Sequence, residues 1–260
     1  MHDWEKALDK FLRKWKNNNN LVGILVCGSY VTGNATPESD IDVQIILDDT
    51  IDWRERGNLY IDDFLIEYFI NPIRQIKSYF IEEYESYKVN SATMFATGVI
   101  IEDKKNILKD LQTEAKEWIS KTFPDINHSQ LEVMKYTIWN YLEDVKASVR
   151  DHYLGFNYLY YSYLSEITEM YRKFLGYDRL RPEKIIDILE EEKYRKRYRL
   201  RDFPDKKFAE LLLKSIQAIN DKEKMLCYQN LTEYLLNKMG GFNIDGWSLK
   251  SNLRLHQSIK

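Results

Sequence analysis

Apolar residues recur at three- and four-residue spacing from Trp4 to Trp15, through Leu8, Phe11 and Leu12, which predicts a short amphipathic helix; the run Asn17-Asn18-Asn19-Asn20 predicts its stop. The pattern then changes. Leu21 to Cys27 is continuously apolar and predicts a buried strand, a segment bounded by Gly28 and Gly33 predicts its exit turn, and Ile41 to Leu47 predicts a second strand rich in branched residues. Tyr60-Ile61 and Phe64 to Ile70 supply further sheet material on either side of Asp62-Asp63. After Asn71-Pro72 the helical period returns, at Ile73, Ile76, Phe80 and Tyr84 and again at Ile107, Leu108, Leu111, Ala115 and Trp118. Thr93 to Ile101 between them fits either a short helix or a strand.

Beyond Phe123-Pro124 no strand pattern recurs. Leu131, Met134, Ile138, Leu142, Val145 and Val149 form one helical stripe, a tyrosine-rich stretch runs from Tyr153 to Tyr171, and further helices are expected to begin near Pro182, Asp205 and Asp221. The chain therefore reads as α+β: a mixed-sheet domain over residues 1–124 and a C-terminal helical bundle over residues 125–260.

Composition narrows what such a protein does. With 44% hydrophobic residues the 260-residue chain can build its core without staples. Its 41 acidic and 38 basic residues, a net charge of −3, argue against a generally basic nucleic-acid-binding body, so any phosphate chemistry must recruit cations locally. The densest local source is Lys193-Tyr194-Arg195-Lys196-Arg197-Tyr198-Arg199, whose simplest reading is a solvated helix end or loop. Cys27 and Cys227 have no metal-type spacing, and Cys27 reads as a small core residue; a reducing, cytoplasmic compartment is the expectation. No run approaches roughly 18 uninterrupted apolar residues, so no membrane span is expected.

The chemistry concentrates in Gly28-Ser29-Tyr30-Val31-Thr32-Gly33 and Ser39-Asp40-Ile41-Asp42. Two glycines let the main chain bend closely round an anion, and Ser29 adds a hydroxyl donor. The segment lacks the Lys-Ser/Thr ending of a nucleotide-hydrolase phosphate loop. Asp40 and Asp42 are two residues apart, so on an extended strand both project from one face while Ile41 and Val43 project from the other. Carboxylates next to a phosphate repel it unless a hard divalent cation stands between them, which favours magnesium. Glu67 interrupts the apolar run Phe64-Leu65-Ile66-Glu67-Tyr68-Phe69 and is the leading third acid; Asp62 and Asp63, at a turn, are its competitors.

This joint pattern, carried by Gly28, Ser29, Asp40, Asp42 and Glu67, resembles that of the polymerase-beta-like nucleotidyltransferase superfamily, and the following helices look like those of small bacterial and aminoglycoside adenylyltransferases. The resemblance implies a magnesium-dependent enzyme. An acceptor hydroxyl would attack the α-phosphate of a nucleoside triphosphate, ATP being the expected donor of AMP, with release of pyrophosphate. It further implies Asp40, Asp42 and Glu67 as catalytic metal ligands, with Glu67 also a general-base candidate, and Gly28 and Ser29 as triphosphate contacts. Tyr30, Val31 and Thr32 depart from the smaller or basic turn of many relatives. Thr32 and Ser39 are read as loop or capping residues.

The expected acceptor is a small hydroxyl-bearing compound such as an aminoglycoside-like molecule. Tyr153, Tyr158, Tyr160, Tyr161 and Tyr163 could line its cleft, although core packing is the default for tyrosines spread round a helix. Glu143, Asp144, Lys146 and Arg150 suit surface pairing equally well, and His2, His128, His152 and His256 are too isolated to form a site. Two alternatives stand beside this reading. One is a protein or nucleic-acid nucleotidyltransferase; the other is a noncatalytic nucleotide-binding or toxin-neutralising protein on the same fold. Oligomeric state is not legible.

Overall fold

A computed structural model of the chain describes residues 2–250, so His256 lies outside the described residues. Its contacts divide the chain into two units. The first runs up to Phe123 and also takes in Glu190–Asp202; the second comprises Pro124–Leu189 and the chain from Phe203 onward.

The first unit is built on a five-stranded sheet: β1 (Leu21–Cys27), β2 (Ile41–Leu47), β3 (Glu55–Ile61), β4 (Phe64–Pro72) and β5 (Val99–Asp103), in the order β3-β4-β2-β1-β5. β2 and β4 run parallel, and the other neighbours are antiparallel. All seven residues of β1 are buried, as a continuous apolar run requires of a strand covered on both faces. On one face α1 (Asp3–Leu12) lays Leu8, Phe11 and Leu12 against Ile24, Val26, Val43 and Ile45. On the other, α3 (Ile73–Glu85), α4 (Asn90–Thr97) and α5 (Ile107–Ser120) pack Phe80, Phe95 and Leu108 against Leu25, Cys27 and Ile46. Each fully buried Leu, Ile or Phe contributes about 1.5–3 kcal/mol, so the two layers fix the strand register firmly.

The expected strands at β1, β2 and β4 are present. The stretch Thr93–Ile101 holds both elements that its pattern fitted: α4 stops at Thr97 and β5 starts at Val99. The first helix ends earlier than its periodicity suggested, at Leu12. β3 begins at Glu55, well before the Tyr60-Ile61 pair that marked it in the sequence, because an edge strand open to solvent needs no apolar face. Asp62 and Asp63 adopt left-handed φ values of 47° and 67° and form the two-residue hairpin loop between β3 and β4, a geometry that short polar side chains tolerate.

The second unit is helical: α6 (His128–Arg150), α7 (Phe156–Phe174), α8 (Ile185–Glu190, which reaches the boundary), α10 (Lys206–Gln217) and α11 (Asp221–Lys238). Its core includes Ile138, Leu142, Ile167, Leu212 and Leu231. Asp205 caps α10 through Phe208 N and also accepts hydrogen bonds from the Tyr171 and Tyr234 hydroxyls at 2.6 and 2.8 Å. Of the tyrosines marked in the sequence, Tyr160 is core and donates to Ser215 O, whereas Tyr153, Tyr158 and Tyr161 are exposed. Tyr163 stacks on Tyr141 and bonds Asp144, and Glu143 pairs with Lys146, so ordinary helix pairing accounts for these acids. Among the described residues no helix is long and apolar enough to cross a membrane.

Candidate active site

The parallel pairing of β2 with β4 sets Asp42 directly opposite Glu67, and the residue two before Asp42 is Asp40. Side chains on paired positions of adjacent strands share a face, so the register alone brings the three acids together. One carboxylate oxygen from each of Asp40, Asp42 and Glu67 lies within 4.8 Å of the others, the one acidic group of this kind among the described residues. Asp62 is held by Lys10 at 2.5 Å in the hairpin loop, and neither it nor Asp63 joins the cluster.

Electrostatic crowding is greatest on Asp42. Burial, then repulsion from Asp40 and Glu67, push its carboxyl up to about 7, against a smaller lowering by Arg56. Arg56 donates to Glu67 Oε1 from Nε at 3.2 Å and Nη2 at 2.5 Å. Arg56 carries no sequence signal of its own, because it sits on the polar edge strand β3, where the apolar pattern is weakest. Cys27, opposite Asp42 across the β1–β2 pair, is fully buried; burial raises its thiol well above the ordinary range, consistent with packing and not with a nucleophile.

β1 feeds its exit turn straight into this cluster. Gly28 has φ 77° and ψ −156°, a conformation essentially confined to glycine, and a Cβ there would stand 1.9 Å from Asp42 Oδ2. Ser29–Thr32 then make a single helical turn, α2, closed by Gly33 at φ 73°; Thr32 Oγ1 donates back to Gly28 O at 3.0 Å. The unusual Tyr30-Val31 pair has a structural cause. Both pack on the α1 side of the sheet, with the Tyr30 ring 5.4 Å from Trp4 and 6.2 Å from Phe64, so they anchor the turn.

The basic run is more than a solvated helix end. Its residues form α9 (Glu192–Arg197) and the following loop, which pack within the first unit against that turn. Arg197 donates to Gly33 O at 3.2 Å and to Asn34 Oδ1, and Thr32 Oγ1 lies 3.1 Å from the Tyr198 hydroxyl. Lys116, Lys196, Arg197 and Arg199 line a cavity of about 570 Å³ together with Thr32 and Thr97, and no carboxylate lines it. Sequence reasoning marked the charge but not its destination, because contacts across some 160 residues leave no local periodicity.

Residues 5–114 match the family described as nucleotidyltransferase domain. They form a nucleotidyltransferase-like domain related to the polymerase-beta-like superfamily, carrying a candidate acidic metal-ligand cluster. A solved structure described as a nucleotidyltransferase-like protein from Exiguobacterium sibiricum 255-15 is similar at 12% identity and a TM-score of 0.45, over 90% of this chain and 75% of that one. No curated protein matches the chain.

Proposed function

We propose that the protein is a magnesium-dependent nucleotidyltransferase that passes a nucleoside monophosphate, AMP from ATP in the simplest case, to the hydroxyl of a small acceptor and releases pyrophosphate. The observation that carries this reading is the meeting of Asp40, Asp42 and Glu67 within 4.8 Å, hard against Gly28 of the exit turn. Three half-buried carboxylates this close repel one another, as the raised Asp42 shows, and a set of hard oxygen donors fits a divalent cation. Bound there, magnesium would screen the triphosphate from the carboxylates and stabilise charge on the departing pyrophosphate.

The roles of the chain's own residues follow from their placement. Asp40 and Asp42 hold the metal side of the α-phosphate; Glu67, steadied by Arg56 through Oε1, serves as the third ligand or takes the acceptor's proton. Gly28 keeps the cradle free of a side chain, and the Ser29 hydroxyl and nearby amides contact the triphosphate. The cationic cavity at the far end of the turn faces the same segment and supplies the countercharge that the turn's own sequence lacks.

The deciding experiment incubates the chain with magnesium, separately α-labelled nucleoside triphosphates and pooled hydroxyl compounds, proteins and RNAs, reading acceptor mass and pyrophosphate. A nucleoside monophosphate increment on a small acceptor is expected, falling at least about a hundredfold in Asp40→Asn. Label on protein or RNA would redirect the acceptor assignment, and full turnover in Asp40→Asn would overturn the mechanism.

A further inference from the structure

The sheet face that carries Asp42 and Glu67 does not end with them. One pleat further along the two strands it presents Gln44 and Phe69, and Asn71 follows on β4. These three side chains floor a cavity of about 460 Å³, walled by Tyr79 of α3, Phe95 of α4 and Arg56 of β3. That volume lies within the roughly 300–1,000 Å³ of small-molecule sites.

Two features mark the cavity as built for a ligand. Gln44 and Asn71 are only 6% and 5% exposed, yet their carboxamides are under-used. Asn71 Oδ1 lies 3.3 Å from the Tyr79 hydroxyl, while its Nδ2 has no hydrogen-bond partner among the described residues; for Gln44 the Cys27 thiol is the one side-chain partner. A primary carboxamide offers two donors and an acceptor, and the unpaired ones here open on the cavity, where a ligand can meet them. The second feature is a planar pair: the Arg56 guanidinium lies over the Phe69 ring, 4.9 Å from its centroid, on the wall and floor of the cavity. Aromatic and guanidinium planes beside carboxamides form the combination that stacks on a heteroaromatic ring and reads its edge.

Position agrees with this chemistry. A pleat step of two residues is roughly 6.6 Å, so Gln44 lies about that far from Asp42, and Asn71 about twice that from Glu67: the reach of a ribose and its base. In strand order the phosphate-side turn leaves β1, the acids stand on β2 and β4, and the cavity extends toward β3.

We propose that this cavity is a nucleobase pocket, in which a base packs against the Arg56–Phe69 pair while Gln44 and Asn71 hydrogen-bond its edge. The assignment rests on the nucleotidyl-transfer reading for the kind of ligand that enters. The base belongs either to the donor triphosphate or to a nucleoside-containing acceptor.

Calorimetric titration of the full chain with adenosine, guanosine, cytidine and uridine, without metal, tests it. At least one nucleoside is expected to bind, and Gln44→Met and Asn71→Leu each to weaken it about tenfold or more, with cooperative thermal unfolding retained in the absence of nucleoside. Should either variant fail to fold, Phe69→Leu removes the stacking face and leaves the carboxamides, and a similar loss is expected. Competition between the nucleoside and its triphosphate assigns the base to the donor; simultaneous binding assigns it to the acceptor. The proposal is overturned if no nucleoside binds the native chain, or if the variants bind as tightly as it does. The two readings fail separately. Label transfer with unaltered nucleoside affinity in the variants removes the pocket alone, whereas pocket-dependent nucleoside binding without any label transfer removes the transfer reading alone.

Discussion

Asp42→Asn is expected to abolish nucleotidyl transfer and, in metal-free buffer above pH 7, to yield a protein more stable than the native one. The two effects have one origin. Asp42 is half-buried beside two other carboxylates, which with desolvation lift its carboxyl from 3.8 to about 7. A carboxyl raised in the folded state binds its proton more tightly there than in the unfolded chain. Its stabilising contribution is therefore complete below about pH 4 and is lost as pH rises through 7. At pH 8 the native apoprotein holds the cluster fully charged at a cost of order 2–4 kcal/mol, and the neutral amide relieves it. Magnesium should close that gap: a ligand at a hundred times its dissociation constant stabilises by about 2.7 kcal/mol, and the variant, which has lost one carboxylate, gains less. Thermal melts at pH 5 and pH 8, with and without magnesium, check this. Asp42→Asn less stable than native at pH 8 without metal would show that the carboxylate holds the fold together and does not await a cation.

Gly28→Ala should also silence transfer, by a different route. The added methyl would sit 1.9 Å from Asp42 Oδ2, and φ 77° with ψ −156° is closed to side-chain-bearing residues. Either the turn or the acid must move, so a loss of activity of at least about a hundredfold is expected, with about 2–4 kcal/mol of destabilisation from strain and overpacking. Gly33 supplies the control. Its φ of 73° is equally positive, but a Cβ there meets nothing within 4 Å and the conformation is the ordinary left-handed one. Gly33→Asn should therefore cost under about 1 kcal/mol and leave most of the turnover. Equal losses at the two positions, measured by urea unfolding and label transfer, would contradict the view that Gly28 is required by its closeness to Asp42.

The contrast between these glycines shows what a sequence carries and what it does not. β1 and β2 were legible because a strand buried on both faces must be largely apolar, β4 because its run from Phe64 to Ile70 is broken only at Glu67, and the three acids stood out because charge interrupts or flanks such runs. That the acids meet depends on a register, Asp42 opposite Glu67, which no local pattern states. Arg56 escaped notice because β3 is an exposed edge whose polar side chains read like a loop. The docking of Arg197 and Tyr198 on the glycine turn was hidden by chain separation, and the burial of Gln44 and Asn71 by their places inside one apolar run and just beyond another. In the tyrosine-rich helix the default of core packing holds for Tyr160 and Tyr171, whose hydroxyls bond Ser215 and Asp205 within the second unit, while Tyr158 and Tyr161 are exposed.

Everything chemical in the account depends on the acidic cluster holding a divalent cation. Manganese, a paramagnetic stand-in for magnesium, can be titrated into the native chain, Asp40→Asn and Glu67→Gln while the free ion is followed by electron paramagnetic resonance. The account predicts that the native chain removes manganese from solution at a site that magnesium reclaims, and that either substitution weakens that binding about tenfold or more. Binding of equal strength in all three proteins, or none in the native chain with nucleotide present, would contradict it.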